Sequence, residues 1–241
     1  DSLIYSKGVP PVESNPVPEA LYLLNFNGDV VDSAGMANMQ WHNEGQKATF
    51  VPANQGQALS FKGTATSPLQ DTIYNTTERD LGDNNFTIEF FARLPFDSSG
   101  GSIPLSYGTA RPLMNLSWWI TLSRHSGLSY KQSRNGWGGD TQYTGGAIPT
   151  SVELSEFVHY AITKDSEGLV RLFVGGVKVG EELLDKTFFR STTLGLTVGA
   201  LDYPSYPYNF TGDISGVRLS KGVVRYKEDF LPPTDIMEAK P

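Results

Sequence analysis

Few side chains in this chain are of types and spacings that could do chemistry. Retaining glycoside hydrolysis needs two carboxylates about 5 Å apart. The stretch Thr87-Ile-Glu-Phe-Phe-Ala-Arg93 offers one, Glu89, with Phe91 and Arg93 at positions of the same parity. A lone carboxylate two strand steps from an arginine reads as an ion pair and not as a catalyst. A serine triad needs a hydroxyl held by an oriented histidine. His42, His125 and His159 are the only histidines, and none stands in a Gly-x-Ser-x-Gly setting, so packing or surface roles are expected for them. Gly136-Trp-Gly-Gly139 lacks the Lys-Ser/Thr that follows a phosphate-binding loop. With no cysteine, thiolate nucleophiles, thiolate metal sites and disulfides are excluded. These residues predict a protein that is not an enzyme.

The aromatic residues carry the stronger signal. A sugar ring packs its C–H face on an exposed Trp or Tyr while its hydroxyls bond to Asn, Asp, Arg or Glu, so a sugar site needs both kinds of residue together. Two segments satisfy this. Arg134, Asn135, Trp137 and Tyr143 share one, and Tyr203, Tyr206 and Tyr208 share the other, with Asp202 and Asn209 at its ends. Trp137 is the central candidate, because flanking glycines let a partner approach closely. Trp119, read as facing outward, would form a platform with Glu89, Arg93 and His159 if their strands share one sheet. The Tyr/Pro-rich loop also reads as a rigid cap over a core end or a subunit interface.

The elements that position these residues are strands. Gly 25, Pro 15 and an aromatic share of 12% favour short strands and tight turns over helices. Alternation or turn residues mark strands at 21–27, 39–42, 49–51, 57–62, 86–94, 117–123, 156–164, 169–174, 177–179, 194–201 and 210–220. Trp118, Ile120 and Leu122 share the core face of one, and Phe86, Ile88, Phe90 and Ala92 that of another. Leu183, Leu184 and Phe188 have a roughly helical spacing that predicts one helical turn within 181–190. Pro10-Pro11 and Pro16-Val-Pro18 make residues 1–19 an extended arm or linker, one that could tether or dock. The remainder reads as one domain, residues 20–234, with a tail at 235–241.

The net charge of −7 and the lack of any basic run argue against nucleic acid and against an anionic membrane. No apolar stretch approaches the roughly 20 residues that span a bilayer, and the sequence opens without a basic-then-apolar signal segment, which predicts a soluble chain. Asn75, Asn85, Asn115 and Asn209 head Asn-x-Ser/Thr triplets, which are short enough to arise by chance.

The closing segment has a distinctive order: Gly212-Asp-Ile-Ser-Gly-Val-Arg218, then Lys221-Gly-Val-Val-Arg-Tyr226, then Phe230-Leu-Pro-Pro233. Upstream come Leu24-Asn-Phe-Asn-Gly28, Asp32-Ser-Ala-Gly35, Gly56-Gln-Ala-Leu-Ser-Phe61, Phe86-Thr-Ile-Glu-Phe90, Phe157-Val-His-Tyr-Ala161 and Leu172-Phe-Val-Gly-Gly176. From Leu21 to Thr234 this order resembles the laminin-G-like, concanavalin-A-like domains common in phage virion proteins. The resemblance implies an all-β jelly-roll sandwich of two antiparallel sheets. It further implies a module on the virion surface, an appendage or capsid-decorating domain, that adheres to glycans or a host surface polysaccharide. A purely structural virion protein, contacting other virion proteins or its own copies as a homo-oligomer, is the alternative. A divergent relative of the laminarinase-like enzymes that share the fold is the third reading. Because such sandwiches often hold structural calcium, Asp29, Asp32 and Asp213 become its expected ligands, although Ser215 stands where many relatives carry an acid.

Overall fold

The computed structural model describes residues 20–35, 39–41, 48–54, 56–62, 72–76, 79–95, 102–109, 115–136, 140–192, 195–201 and 208–233. The arm expected at 1–19 and the tail expected at 235–241 lie outside them. In chain order the strands begin with β1 Ala20–Leu24, β2 Gln40–Trp41, β3 Thr49–Pro52, β4 Gln57–Lys62, β5 Ile73–Tyr74 and β6 Phe86–Arg93. They continue with β7 Leu105–Thr109, β8 Asn115–Ser123, β9 Gly127–Ser133, β10 Thr141–Gly146, β11 Val158–Lys164 and β12 Leu169–Val174. The last are β13 Val177–Leu183, β14 Leu196–Val198, β15 Ala200–Leu201, β16 Tyr208–Asn209 and β17 Thr211–Lys221.

All pairings are antiparallel, in two main sheets. One runs β13-β12-β11-β6-β17-β4-β3 with β1 also on β17, and the other runs β10-β9-β8-β7-β14-β5-β2; β15 and β16 form a separate hairpin. Pro52 sits in β3 at a sheet edge, where a missing amide breaks no ladder. The sheets face each other across one core. Phe86, Ile88, Phe90 and Ala92 of β6 meet Trp118, Ile120 and Leu122 of β8 in it, as their alternation requires. Phe86 reaches across to Tyr130 of β9, ring centres 5.9 Å apart, and Trp118 stacks on Tyr107 at the same separation.

The helical turn expected within 181–190 does not form. Residues up to Leu183 stay in β13, held by pairing with β12 and by the Arg171–Glu181 ion pair, 3.2 Å. Leu184 and Phe188 then reach the core from irregular chain, so their spacing reflects burial and not a helix. The triplet at Asn75 is sealed in the fold, its side chain bonded to the Tyr22 hydroxyl and to the Leu196 amide.

One irregularity in β17 decides how the outer face of the eight-stranded sheet is built. Ile214 and Val217 are both fully buried, yet three residues apart, which a regular strand cannot place on one face. The pairing with β6 shifts between Ser215 and Arg218, and Gly216 takes φ +59°. This is a glycine bulge: the extra residue restores Val217 and Leu219 to the core and turns Arg218 outward, opposite Glu89. Valine at Gly216 would be forced into the left-handed region. We expect Gly216→Val to lower stability by about 1–2 kcal/mol, and an unchanged denaturation midpoint would refute this account of the bulge.

Candidate functional site

Two outer faces remain, one per sheet. On the seven-stranded sheet, Trp119 of β8 lies opposite Lys131 of β9, which lies opposite Tyr143 of β10. The row runs from covered to open. Trp119 is 8% exposed, packed with Ile103, Leu116 and Leu201, whereas Tyr143 is 65% exposed. A register shift between Tyr107 and Gly108 in the β7–β8 pairing places Leu116 on the Trp119 side. The Lys131 ammonium stands 6.0 Å from the centre of the Trp119 ring. In the next row Thr121 and Ser129 hydrogen-bond through their hydroxyls, opposite Gly145.

The described ends of both aromatic segments adjoin this sheet. The first links β9 to β10, with the Arg134 amide bonded to the Asp140 carbonyl at 3.0 Å. The Arg134 guanidinium is aimed by Asp185 at 2.8 Å and Asp140 at 3.5 Å, and Asn135 beside it is exposed. The second segment leaves the β15–β16 hairpin, which is anchored where Leu201 touches Trp119 and Ser106 Oγ bonds the Ala200 carbonyl. Trp137, Tyr203 and Tyr206 lie outside the described residues, as does the side chain of Tyr208. The structure thus brings Trp119 and Tyr143 onto one face and adds Lys131, which carried no sequence signal because a lysine in a strand usually faces solvent; Arg134 and Asn135 sit in the β9–β10 connection, with Arg134 turned to Asp185.

The four-residue platform does not form. Glu89 and Arg93 lie on β6 and His159 on β11, in the eight-stranded sheet, while Trp119 belongs to the other. Glu89 is an ion-pair residue, as expected, but Arg93 is not its partner. Arg93 pairs with Asp213 at 2.7 Å. Glu89 is 0% exposed; its Oε1 accepts from Arg218 at 2.6 and 2.7 Å and faces Arg225 at 3.3 Å. Its Oε2 accepts from the Tyr226 hydroxyl at 2.9 Å and contacts His159 Nε2 at 3.2 Å. Burial pushes the Glu89 carboxyl up, but the His159 hydrogen bond and the Arg218 and Arg225 charges outweigh it and hold it at about 2.

The lid over this cluster is the closing segment. Tyr226 stacks on Phe230 with ring centres 3.6 Å apart, and both pack edge-on against Phe173 and His159. Thr87 and Thr163 hydroxyls bond the Val223 and Tyr226 carbonyls, and the Phe230 amide bonds Gly176. Residues of the distinctive C-terminal order are therefore those that bury Glu89, which no substrate can reach. His125 is exposed in the β8–β9 turn, and His42 lies outside the described residues.

The aspartates do not fit calcium, which takes six to eight oxygens. Asp213 is committed to Arg93, Asp32 Oδ1 accepts from the Leu23 and Ala34 amides, and Asp29 Oδ1 from the Val31 amide. No group of three or more His, Cys, Asp or Glu able to hold a metal occurs among the described residues.

No curated protein matches the chain by sequence. Solved structures do resemble it. The binding domain of Paraclostridial Mosquitocidal Protein 1 aligns with TM-score 0.64 at 12% identity, over 86% of this chain and 50% of that one. The binding domain of botulinum neurotoxin DC, solved in complex with SialylT, aligns with TM-score 0.62 at 15% identity, over 86% and 48%. Domain 4 of AbnA, an extracellular GH43 arabinanase from Geobacillus stearothermophilus solved with arabinotriose, aligns with TM-score 0.56 at 19% identity, over 86% and 94%. The chain spans about half the length of the two toxin domains, and at these identities the likeness is one of fold. Residues 70–228, more than half of the chain, match the Laminin_G_3 family, and with its two antiparallel sheets packed face to face the chain belongs to this branch of the concanavalin A-like lectin/glucanases superfamily.

Proposed function

We propose that the chain is a non-catalytic glycan-binding module that works through the outer face of its seven-stranded sheet. The observation that carries this is the in-register row of Trp119, Lys131 and Tyr143, which ends in an exposed tyrosine ring. The ring offers a stacking surface for a sugar C–H face, the Lys131 ammonium in the same row offers donors to its hydroxyls, and we assign Arg134 and Asn135 of the exposed β9–β10 connection to the site as further donors. The bound arabinotriose and SialylT of the AbnA domain and the toxin domain support the reading by analogy of fold. We assign the module to the surface of a phage virion, on the resemblance of its closing segment. Antibody labelling of intact particles tests that setting.

A glycan array probed with the purified protein tests the activity. Tyr143→Ala and Trp137→Ala should each weaken binding by at least ~1 kcal/mol with an unchanged Tm, since Tyr143 is largely exposed and contributes little packing. A folded protein silent across the array would overturn the glycan reading and favour the structural one.

A further inference from the structure

The seven-stranded sheet is nearly without charge. Across β2, β5, β7, β8, β9, β10 and β14 a single residue is acidic or basic, Lys131, although the chain carries 26 Asp and Glu and a net charge of −7. The eight-stranded sheet differs, for there Arg93, Arg171, Lys178 and Arg218 each meet a carboxylate within 3.2 Å. Lys131 meets none among the described residues. It is half-buried, its ammonium over the Trp119 ring. Asp140, just before β10, and Asp185, just after β13, are held by Arg134.

A half-buried ammonium without a counter-ion has lost part of its hydration and gained no partner charge. An anion that reaches it forms a charge-assisted hydrogen bond, stronger than one to a neutral hydroxyl. The row sets where that anion belongs. Lys131 and Tyr143 lie opposite each other on β9 and β10, and the side chains of such pairs start ~5 Å apart. A sugar ring stacked on Tyr143 therefore carries an acid substituent onto Lys131. In the next row Gly145 has no side chain to lift the ring, and Thr121 and Ser129 present hydroxyls. The lone cation also fixes the density of charge. A polyanion needs a cation for each of several charges, which an otherwise neutral sheet does not supply. One carboxylate among neutral sugars matches it.

We propose that this face selects glycans bearing an isolated carboxylated sugar, the sugar ring on Tyr143 and its carboxylate on Lys131. The inference rests on the glycan reading of the same sheet and names its ligand class. The test is an array of neutral glycans, the same glycans carrying one uronic or sialic acid, those acids as methyl esters, and polysulfated chains. The singly acidic glycans should bind about tenfold more tightly than their methyl esters. Lys131→Met should erase that difference with little change in Tm, whereas Tyr143→Ala should weaken acid and ester alike. A folded protein silent throughout overturns the glycan reading and this inference with it. Esters or neutral glycans bound as tightly as the acids, an acid preference that survives Lys131→Met, or strongest binding to polysulfated chains would leave the glycan reading standing and overturn this inference alone.

Discussion

Glu89→Ala should lower the unfolding free energy by about 3–5 kcal/mol, a fall in Tm on the order of 10 °C for a chain of this size. Removing the carboxylate leaves Arg218 and Arg225 facing each other across the strap and strips Tyr226 and His159 of their acceptor. The same residue sets an acid limb. Its folded carboxyl is held near 2 against an unfolded value of 4.5, so its contribution is complete above the higher figure and is lost as pH falls toward the lower. Glu89→Gln should therefore lose less stability than the wild type between pH 5 and pH 2.5, measured by denaturant midpoint; parallel curves would show that Glu89 does not titrate there. A Glu89→Ala protein that keeps its Tm but loses a measurable sugar release would instead revive the hydrolase reading.

How far the sequence reaches can be judged element by element. Strands with strong alternation were legible almost to the residue: Gln57–Lys62 and Leu169–Val174 are strands with those ends, and Phe86 to Leu94 differs only at its last residue. β7, β9 and β10 were not. Thr141–Gly146 is a polar strand with two glycines at a sheet edge, where one-sided burial leaves no apolar period to read. Ile214 and Val217 held the clue to the bulge, because their three-residue spacing conflicts with a flat strand. Lacking the bulge, strand parity matched Glu89 with Arg93, when the cations that close on it come from Arg218 and Arg225, about 130 residues later in the chain. Trp119 was legible as an outer-face residue. Its cover was not, since Ile103 arrives from the chain before β7 and Leu201 from β15, both distant in sequence.

These misreadings share a physical origin. Period-2 alternation reports which side of a strand a residue leaves, not what lies on that side. Here both outer faces are dressed, one by the β15–β16 hairpin and the other by the 223–233 strap. On the eight-stranded side the strap converts an outward carboxylate into a buried anion. On the seven-stranded side the described residues cover Trp119, while Lys131 is half-buried and Tyr143 largely exposed. The strap seals the Glu89 end of the eight-stranded face and leaves the neighbourhood of Phe91 and Leu231 accessible.

Lys164→Met should cost about 2–3 kcal/mol and should also weaken the proposed glycan site. Lys164, at the end of β11, is 1% exposed and donates to Gln132 Oε1 at 3.1 Å, the Asp185 carbonyl at 2.7 Å and the Lys186 carbonyl at 3.0 Å. Methionine fills a similar volume but takes the donor from Gln132 Oε1 and the Lys186 carbonyl, while the Asp185 carbonyl keeps only Gln132 Nε2 at 2.9 Å. Burial lowers the ammonium to about 8, against the pull of Asp83 and Asp185. Since the unfolded chain keeps its proton to 10.5, the stability of the wild type relative to Lys164→Met should rise with pH above about 8. Denaturant midpoints of both proteins at pH 7 and pH 9.5 read this directly, and a constant difference would show that Lys164 titrates normally. The functional link runs through Asp185, whose amide bonds Gln142 at 2.8 Å and whose carboxylate aims Arg134 at the same distance. A Lys164→Met protein kept well below its Tm should therefore bind glycan more weakly; undiminished affinity would remove Arg134 from the contact surface and leave Tyr143 as its centre.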